Sequence, residues 1–282
     1  MCGVVESWSE AMNAYMAIDL DEHLSTRDVA ILTDLERFRL LDTKHVQRLH
    51  YTDHTSDLAA ARACNRALLR LRELGLISSL DRRVGGVRKG SASFVWQLAA
   101  TGERFLRATR GQAHRRRFME PGPYFVTHTL AVNDVAVGLL EAPKATPGFA
   151  VEELVTEPSN WRSYLGANGE TRWLKPDLYV VTHHAGGDEG RDGYEEHTFL
   201  EVDLGTEHLP RIQAKCLMYA AYANTGAYQA EHALFPVVVW LSPDPARSRA
   251  LEAAISATRN LPQELFRVTS PKEYLTEIAS AE

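Results

Sequence analysis

At 282 residues, 45% hydrophobic and 24% charged, the chain has the composition of a soluble globular protein, long enough for two domains with a core each. No apolar run approaches the roughly 18 residues of a membrane-spanning helix, and Cys2, Cys64 and Cys216 are too far apart for a disulfide framework or a zinc spacing. These exclusions leave a cytoplasmic protein as the expectation. The net charge of −6 is unevenly spread. Residues 25–118 hold 19 Lys and Arg against nine Asp and Glu, a balance of +10, whereas residues 1–24 carry −5 and residues 119–282 carry −11. A basic segment inside an acidic chain points to a polyanionic partner for that segment alone.

Residues 1–24 read as an acidic leader with no Lys or Arg, which argues against a secretory signal. Thr26 is a candidate cap for a first helix, Arg27 to Leu41, with Val29, Ile31, Leu32, Leu35, Phe38 and Leu41 on its apolar side. A short second helix follows over Lys44 to His50. A third, Asp57 to Leu74, stops at Gly75, with Leu58, Ala61, Leu68, Leu71 and Leu74 as its expected apolar stripe. Two short strands, Leu76 to Asp81 and Ala92 to Leu98, flank a loop rich in Gly and basic residues: Arg82, Arg83, Arg88 and Lys89. A further helix begins at Thr101. Three helices followed by a two-stranded wing is the winged form of helix-turn-helix, expected over residues 25–106.

In that reading the third helix is the recognition helix. Arg62, Arg66 and Arg70 recur every four residues and so share a face, where they can meet phosphates and base edges of double-stranded DNA. A solvated helix face would look the same in sequence; the basic wing loop is what favours DNA. Residues 107–123 form a basic linker, with Arg115, Arg116 and Arg117 offering non-specific phosphate contacts before Pro121-Gly122-Pro123.

The second domain, residues 124–282, opens with a helix over Phe125 to Glu141. Its polar face offers His128, Asn133 and Asp134, more readily explained as packing or exposed groups than as site residues. A strand over Phe149 to Thr156 and a turn-rich insertion with Trp161, Tyr164 and Trp173 come next. Then follow two apolar runs bearing acids, around Asp177 and over His197 to Val202, joined by a Gly- and acid-rich loop at residues 183–196. Alternation along a strand puts Glu201 and Asp203 on one side, and antiparallel pairing of the runs would bring Asp177 to them. Three carboxylates at one sheet edge suit a divalent cation, Mg²⁺ or Mn²⁺. A helix over Thr206 to Tyr222 then presents Arg211, Lys215 and Tyr219 at four-residue spacing. An apolar strand over Phe235 to Leu241 and a helix over Ala246 to Leu261 follow, before a tail read as a peripheral strand and short helix.

Pro176-Asp177 followed by Glu201-Val202-Asp203 resembles the PD-(D/E)XK nuclease core. Together with the DNA-binding-like half before it, the chain resembles the replication-relaxation family of plasmid-associated proteins over roughly residues 25–245. The resemblance implies an α+β protein, a winged helix followed by a mixed α/β nuclease-like domain, with Asp177 and Glu201 as metal ligands and catalytic groups; strand alternation adds Asp203 to them. Asp203 stands where the motif usually has Lys, so Lys215, or Lys175 beside Asp177, is the candidate for the missing positive charge. Arg211 and Tyr219 would orient the phosphate. Three readings remain open. The first is a metal-dependent endonuclease in plasmid replication or transfer control. The second is a non-catalytic replication accessory whose nuclease-like domain serves homodimerisation or binds replication or conjugation proteins. The third is a repressor using the winged helix alone. None involves a membrane.

Overall fold

The structure, a computed structural model, describes residues 23–80, 94–111, 122–166, 168–186 and 193–280. The expected leader through residue 22, the wing-tip residues Arg82, Arg83, Arg88 and Lys89, the linker residues Arg115, Arg116 and Arg117, and loop residues 187–192 lie outside the described residues. The chain divides into two compact units, residues 1–133 and 134–282.

In the first unit, α1 (Thr26–Phe38) is followed by β1 (Leu41–Asp42), α2 (Thr43–His50) and α3 (Asp57–Glu73). Then come β2 (Ile77–Ser79), β3 (Val95–Leu98) and α4 (Ala100–Thr109). The three strands form an antiparallel sheet in the order β1-β3-β2. Ser25, not Thr26, caps α1, in a capping box with Asp28. Helix α3 ends in a Schellman arrangement. Leu76 N–H donates to Leu71 O at 3.0 Å and Gly75 N–H to Arg72 O at 2.9 Å, with Gly75 at φ +71°, where glycine is the low-cost residue.

The core-facing stripe of α3 differs from the expected one. Ala60, Cys64, Leu68 and Leu71 are buried, whereas Leu58 is 61% exposed and Leu74 is also exposed. At 100° per residue, position 58 lies nearly opposite position 60, so helical phase decides burial over residue type.

Helix α5 (Pro123–Glu141) runs across the division between the units. Within the first unit, its buried Asn133 donates through the side-chain amide to Phe38 O at 3.1 Å and Leu40 O at 2.5 Å. These bonds supply a donor to Leu40 O and a second one to Phe38 O, which also accepts from Leu40 N–H at 2.7 Å, where α1 ends. The residue expected on a polar face is therefore an internal staple.

The second unit is built on a five-stranded sheet, with β4 (Phe149–Thr156), β7 (Leu178–His184), β8 (Tyr194–Val202), β9 (Val237–Leu241) and β10 (Phe266–Thr269). Spatial order is β10-β9-β8-β7-β4. Strand β7 runs antiparallel to both neighbours, and β8, β9 and β10 are mutually parallel. Parallel pairing needs crossovers, supplied by α6 (Leu209–Ala223) with the short α7 (Ala227–His232), and by α8 (Pro245–Ser256). Helix α9 (Pro271–Ser280) closes the described chain. The expected start of α6 at Thr206 is early by three residues: His208 is its N-cap and Pro210 sits in the first turn, where its missing N–H costs nothing.

One face of the sheet (Tyr179, Val181, Phe199, Val238 and Trp240) packs with Ile212, Cys216 and Tyr219 of α6 and Leu251 and Ile255 of α8. The other face, including Leu178, Val180, Leu200 and Val239, is buried as well. Sheets of this kind, covered on both sides, read as continuous apolar runs, as β9 does. The turn-rich insertion is an antiparallel hairpin, β5 (Arg162–Leu165) with β6 (Thr171–Leu174), whose Tyr164 and Leu174 join the same core.

Candidate functional site

The acids of the second unit lie where β7 begins and β8 ends. Backbone pairing fixes this: Leu178 is opposite Leu200, and Asp177 N–H donates to Leu200 O at 3.1 Å. The Asn160 amide donates to Pro176 O at 2.7 Å and holds the approach to Asp177. Asp177 Oδ2 in turn accepts from Val202 N–H at 2.7 Å. Asp177 is thereby placed beside the end of β8, as antiparallel pairing requires.

Each acid then finds a partner of its own. Glu201, 1% exposed, accepts from Lys215 Nζ at 2.5 Å on one oxygen and from the Tyr219 hydroxyl on the other. Asp203, equally enclosed, is gripped on both oxygens by Arg247 of α8, with Nε at 2.5 Å and a terminal nitrogen at 3.3 Å. Arg247 also donates to Glu207 O at 2.6 Å, which ties the loop after β8 to α8. Arg247 has no counterpart in the sequence reading. Its signal there was the start of α8, where Asp244 caps the helix and Pro245 opens it.

Burial pushes the Glu201 carboxyl up to about 8, with Lys215 and Tyr219 pulling it down and Asp177 pushing it further up. For Lys215 burial opposes the charge, but Glu201 and then Asp177 outweigh it and raise its pKa. Burial and the Glu201 carboxylate also raise the Tyr219 phenol well above its ordinary range. Tyr219 is fully buried, while Arg211 is 77% exposed and pairs with Glu207 at 3.3 Å. Four-residue spacing drifts about 40° per step around a helix. Over the eight residues from Arg211 to Tyr219 that drift separates the two, and only Lys215 and Tyr219 reach Glu201.

The oxygens of Glu201 and Asp203 are committed to Lys215, Tyr219 and Arg247. Among the described residues no group of three or more His, Cys, Asp or Glu is arranged to hold a metal ion. Lys175 does not turn to the acids either; its Nζ lies 4.0 Å from the centre of the Trp161 ring. His183 and His184 belong to β7 and point to opposite faces, His184 stacking on Tyr194 with ring centres 4.6 Å apart. Asp134 is exposed. A second polar cluster was not foreseen. The Tyr179 and Tyr228 hydroxyls meet at 2.6 Å, and His197 Nδ1 lies 2.5 Å from Tyr228 and 3.1 Å from Tyr179.

In the first unit, Arg62 and Arg66 are exposed on α3 and make no ion pair among the described residues. Arg70 is diverted inward to the buried Asp28, at 2.6 Å. Leu58, Asn65 and Leu69 are exposed beside the two free arginines, at helical spacings of three and four that place all five on one face. Sequence reading missed Asn65 and assigned Leu58 to the core.

Fold and sites define an α+β protein of two units, one with a basic-faced helix and one with a buried, charge-paired acid cluster in a mixed sheet. No helix among the described residues is long and apolar enough to cross a membrane. The family model described as replication-relaxation matches residues 32–238, and the chain belongs to that family. Neither the curated proteins nor the solved structures contain a match.

Proposed function

We propose that this chain is a DNA-binding protein of plasmid replication or transfer control, which grips double-stranded DNA through α3 and its wing and uses the second unit to bind partners. The observation that carries the reading is the exposed face of α3. Arg62 and Arg66 are free to meet phosphate and guanine, and Asn65 between them can pair with adenine. The order α1, β1, α2, α3, β2, β3 supports a winged helix. The order of α5, the main-sheet strands β4, β7 and β8 (with the β5–β6 hairpin inserted), α6 and β9 supports descent from a PD-(D/E)XK-like core. Its acids are neutralised internally, which favours the non-catalytic accessory over the endonuclease. The endonuclease reading would require Lys215 and Arg247 to release Glu201 and Asp203.

Supercoiled plasmid incubated with the protein in Mg²⁺ or Mn²⁺ separates the two. The expected result is a gel shift without nicking, the shift weakened in an Arg62→Ala/Arg66→Ala variant. Metal-dependent nicking by the native protein, absent from a folded Glu201→Gln variant, would overturn the non-catalytic reading. Shifts equal in the native and double-arginine proteins would overturn duplex binding through α3.

A further inference from the structure

The β5–β6 hairpin has one face in the core and one in solvent. Arg162 pairs with Leu174 and Tyr164 with Arg172, while Ser163 pairs with Trp173 and Leu165 with Thr171. Because cross-strand partners share a face and neighbours alternate, the buried Tyr164 and Leu174 leave Ser163, Leu165, Thr171 and Trp173 facing outward, in phase with Trp161 and Lys175. Trp173 is 49% exposed and Leu165 69%. Large exposed aromatics on a folded surface call for an explanation that scattered apolar residues do not.

The surroundings of Trp173 are ordered. Trp161 meets it edge-on, ring centres 6.5 Å apart, and is itself fixed by its indole N–H donating to Glu157 at 3.1 Å. Lys175 lies over the Trp161 ring at 4.0 Å while remaining exposed, a cation–π contact that holds its ammonium on the neighbour of Trp173. The hairpin acid Glu170 is answered by Arg172 at 2.5 Å. The outward face therefore offers an aromatic plane with a positive charge held next to it. A base and its phosphate require that combination, and sequence-tolerant single-strand binders supply it. In duplex DNA the base faces are stacked on one another and closed to a tryptophan.

We propose that this hairpin face binds single-stranded nucleic acid, with a base stacked on Trp173, a phosphate on Lys175, and Trp161 as the positioning residue for Lys175. The site is separate from duplex binding through α3, and either can fail without the other.

The test uses the full chain, titrated with a short oligothymidylate and with its oligouridylate counterpart, followed by tryptophan fluorescence and by anisotropy of the labelled strand. Quenching on binding is expected, and it should persist in Arg62→Ala/Arg66→Ala, whose duplex binding is weakened. Trp173→Ala should bind the strand about tenfold more weakly, the effect of one lost stacking contact, while Trp173→Phe retains most of the affinity. Lys175→Ala should lower the salt dependence by about one counterion. Equal response to both strands indicates recognition of bases alone, and a preference for one identifies the sugar; both support the site. Unchanged affinity in Trp173→Ala, or no strand binding by the native protein, would overturn it. So would a Trp173→Ala variant altered only in sedimentation, which would make the face a contact between copies of the chain.

Discussion

Replacing Lys215 by Met tests the electrostatics of the acid cluster. Methionine keeps most of the lysine stem, so the change removes the charge more than the packing. In the native protein burial raises Glu201 from 4.5 to about 8. The folded pKa exceeds the unfolded one, so between those values the folded chain holds a proton that the unfolded chain has released. Stability therefore falls as pH rises through that interval and levels off above about 8. Lys215 is the strongest group pulling Glu201 down. Without it the carboxyl stays protonated to higher pH, and the decline continues at about 1.4 kcal/mol per pH unit.

Stranding one member of a buried pair costs about 3–5 kcal/mol. Here the cost at neutral pH should be nearer 1–3 kcal/mol, because Glu201 already holds its proton there in most molecules and Tyr219 still donates to it. The deficit against the native protein should then grow by about 1 kcal/mol between pH 8 and 9. Urea denaturation followed by circular dichroism at about pH 6, 8 and 9 measures it. The double variant Glu201→Gln/Lys215→Met should lose the extra slope. A deficit for Lys215→Met that is the same at all three pH values would refute Glu201 as the titrating group.

Asp28→Asn removes the buried partner of Arg70 and should cost about 1–2 kcal/mol, the lower part of the charged-bond range because Arg70 is half-exposed. Burial pushes the Asp28 pKa up, but the bonds from Arg70 and Ser25 outweigh it and leave it below 3.8. Its contribution is thus present above that value and lost as pH falls through the folded pKa, so acid unfolding of the variant should show a weaker dependence on pH. Gly102→Ala would set a Cβ 2.2 Å from the Leu76 carbonyl oxygen, and thermal melts should show a loss of about 1–3 kcal/mol or more, since backbone must move. Arg62→Ala/Arg66→Ala should lower the slope of log affinity against log salt by about two for duplex DNA. Its stability should stay within about 0.5 kcal/mol of native, unlike that of Arg70→Ala.

Local signals in the sequence carried most of the elements. Gly75 stopped α3, the apolar run of β9 announced an interior strand, and alternation in β8 put Glu201 and Asp203 on one side. The resemblance to the replication-relaxation family, carried by Pro176-Asp177 and Glu201-Val202-Asp203, agrees with the family match over residues 32–238. Patterns of this kind depend on backbone periodicity and residue type, which each stretch carries within itself.

Partner choice was not local, and only the tertiary structure decided it. Asp28 and Arg70 are 42 positions apart, Asp203 and Arg247 are 44, and Asn133 reaches Phe38 across 95. Sequence showed three acids near one sheet edge; folding gave them Lys215, Tyr219, Arg247 and the Val202 amide as hydrogen-bond donors. Burial makes an uncompensated carboxylate costly, so each acid settles on the nearest donor that chain topology delivers. That topology depends on which helix crosses which strand, and no single stretch of the chain encodes it.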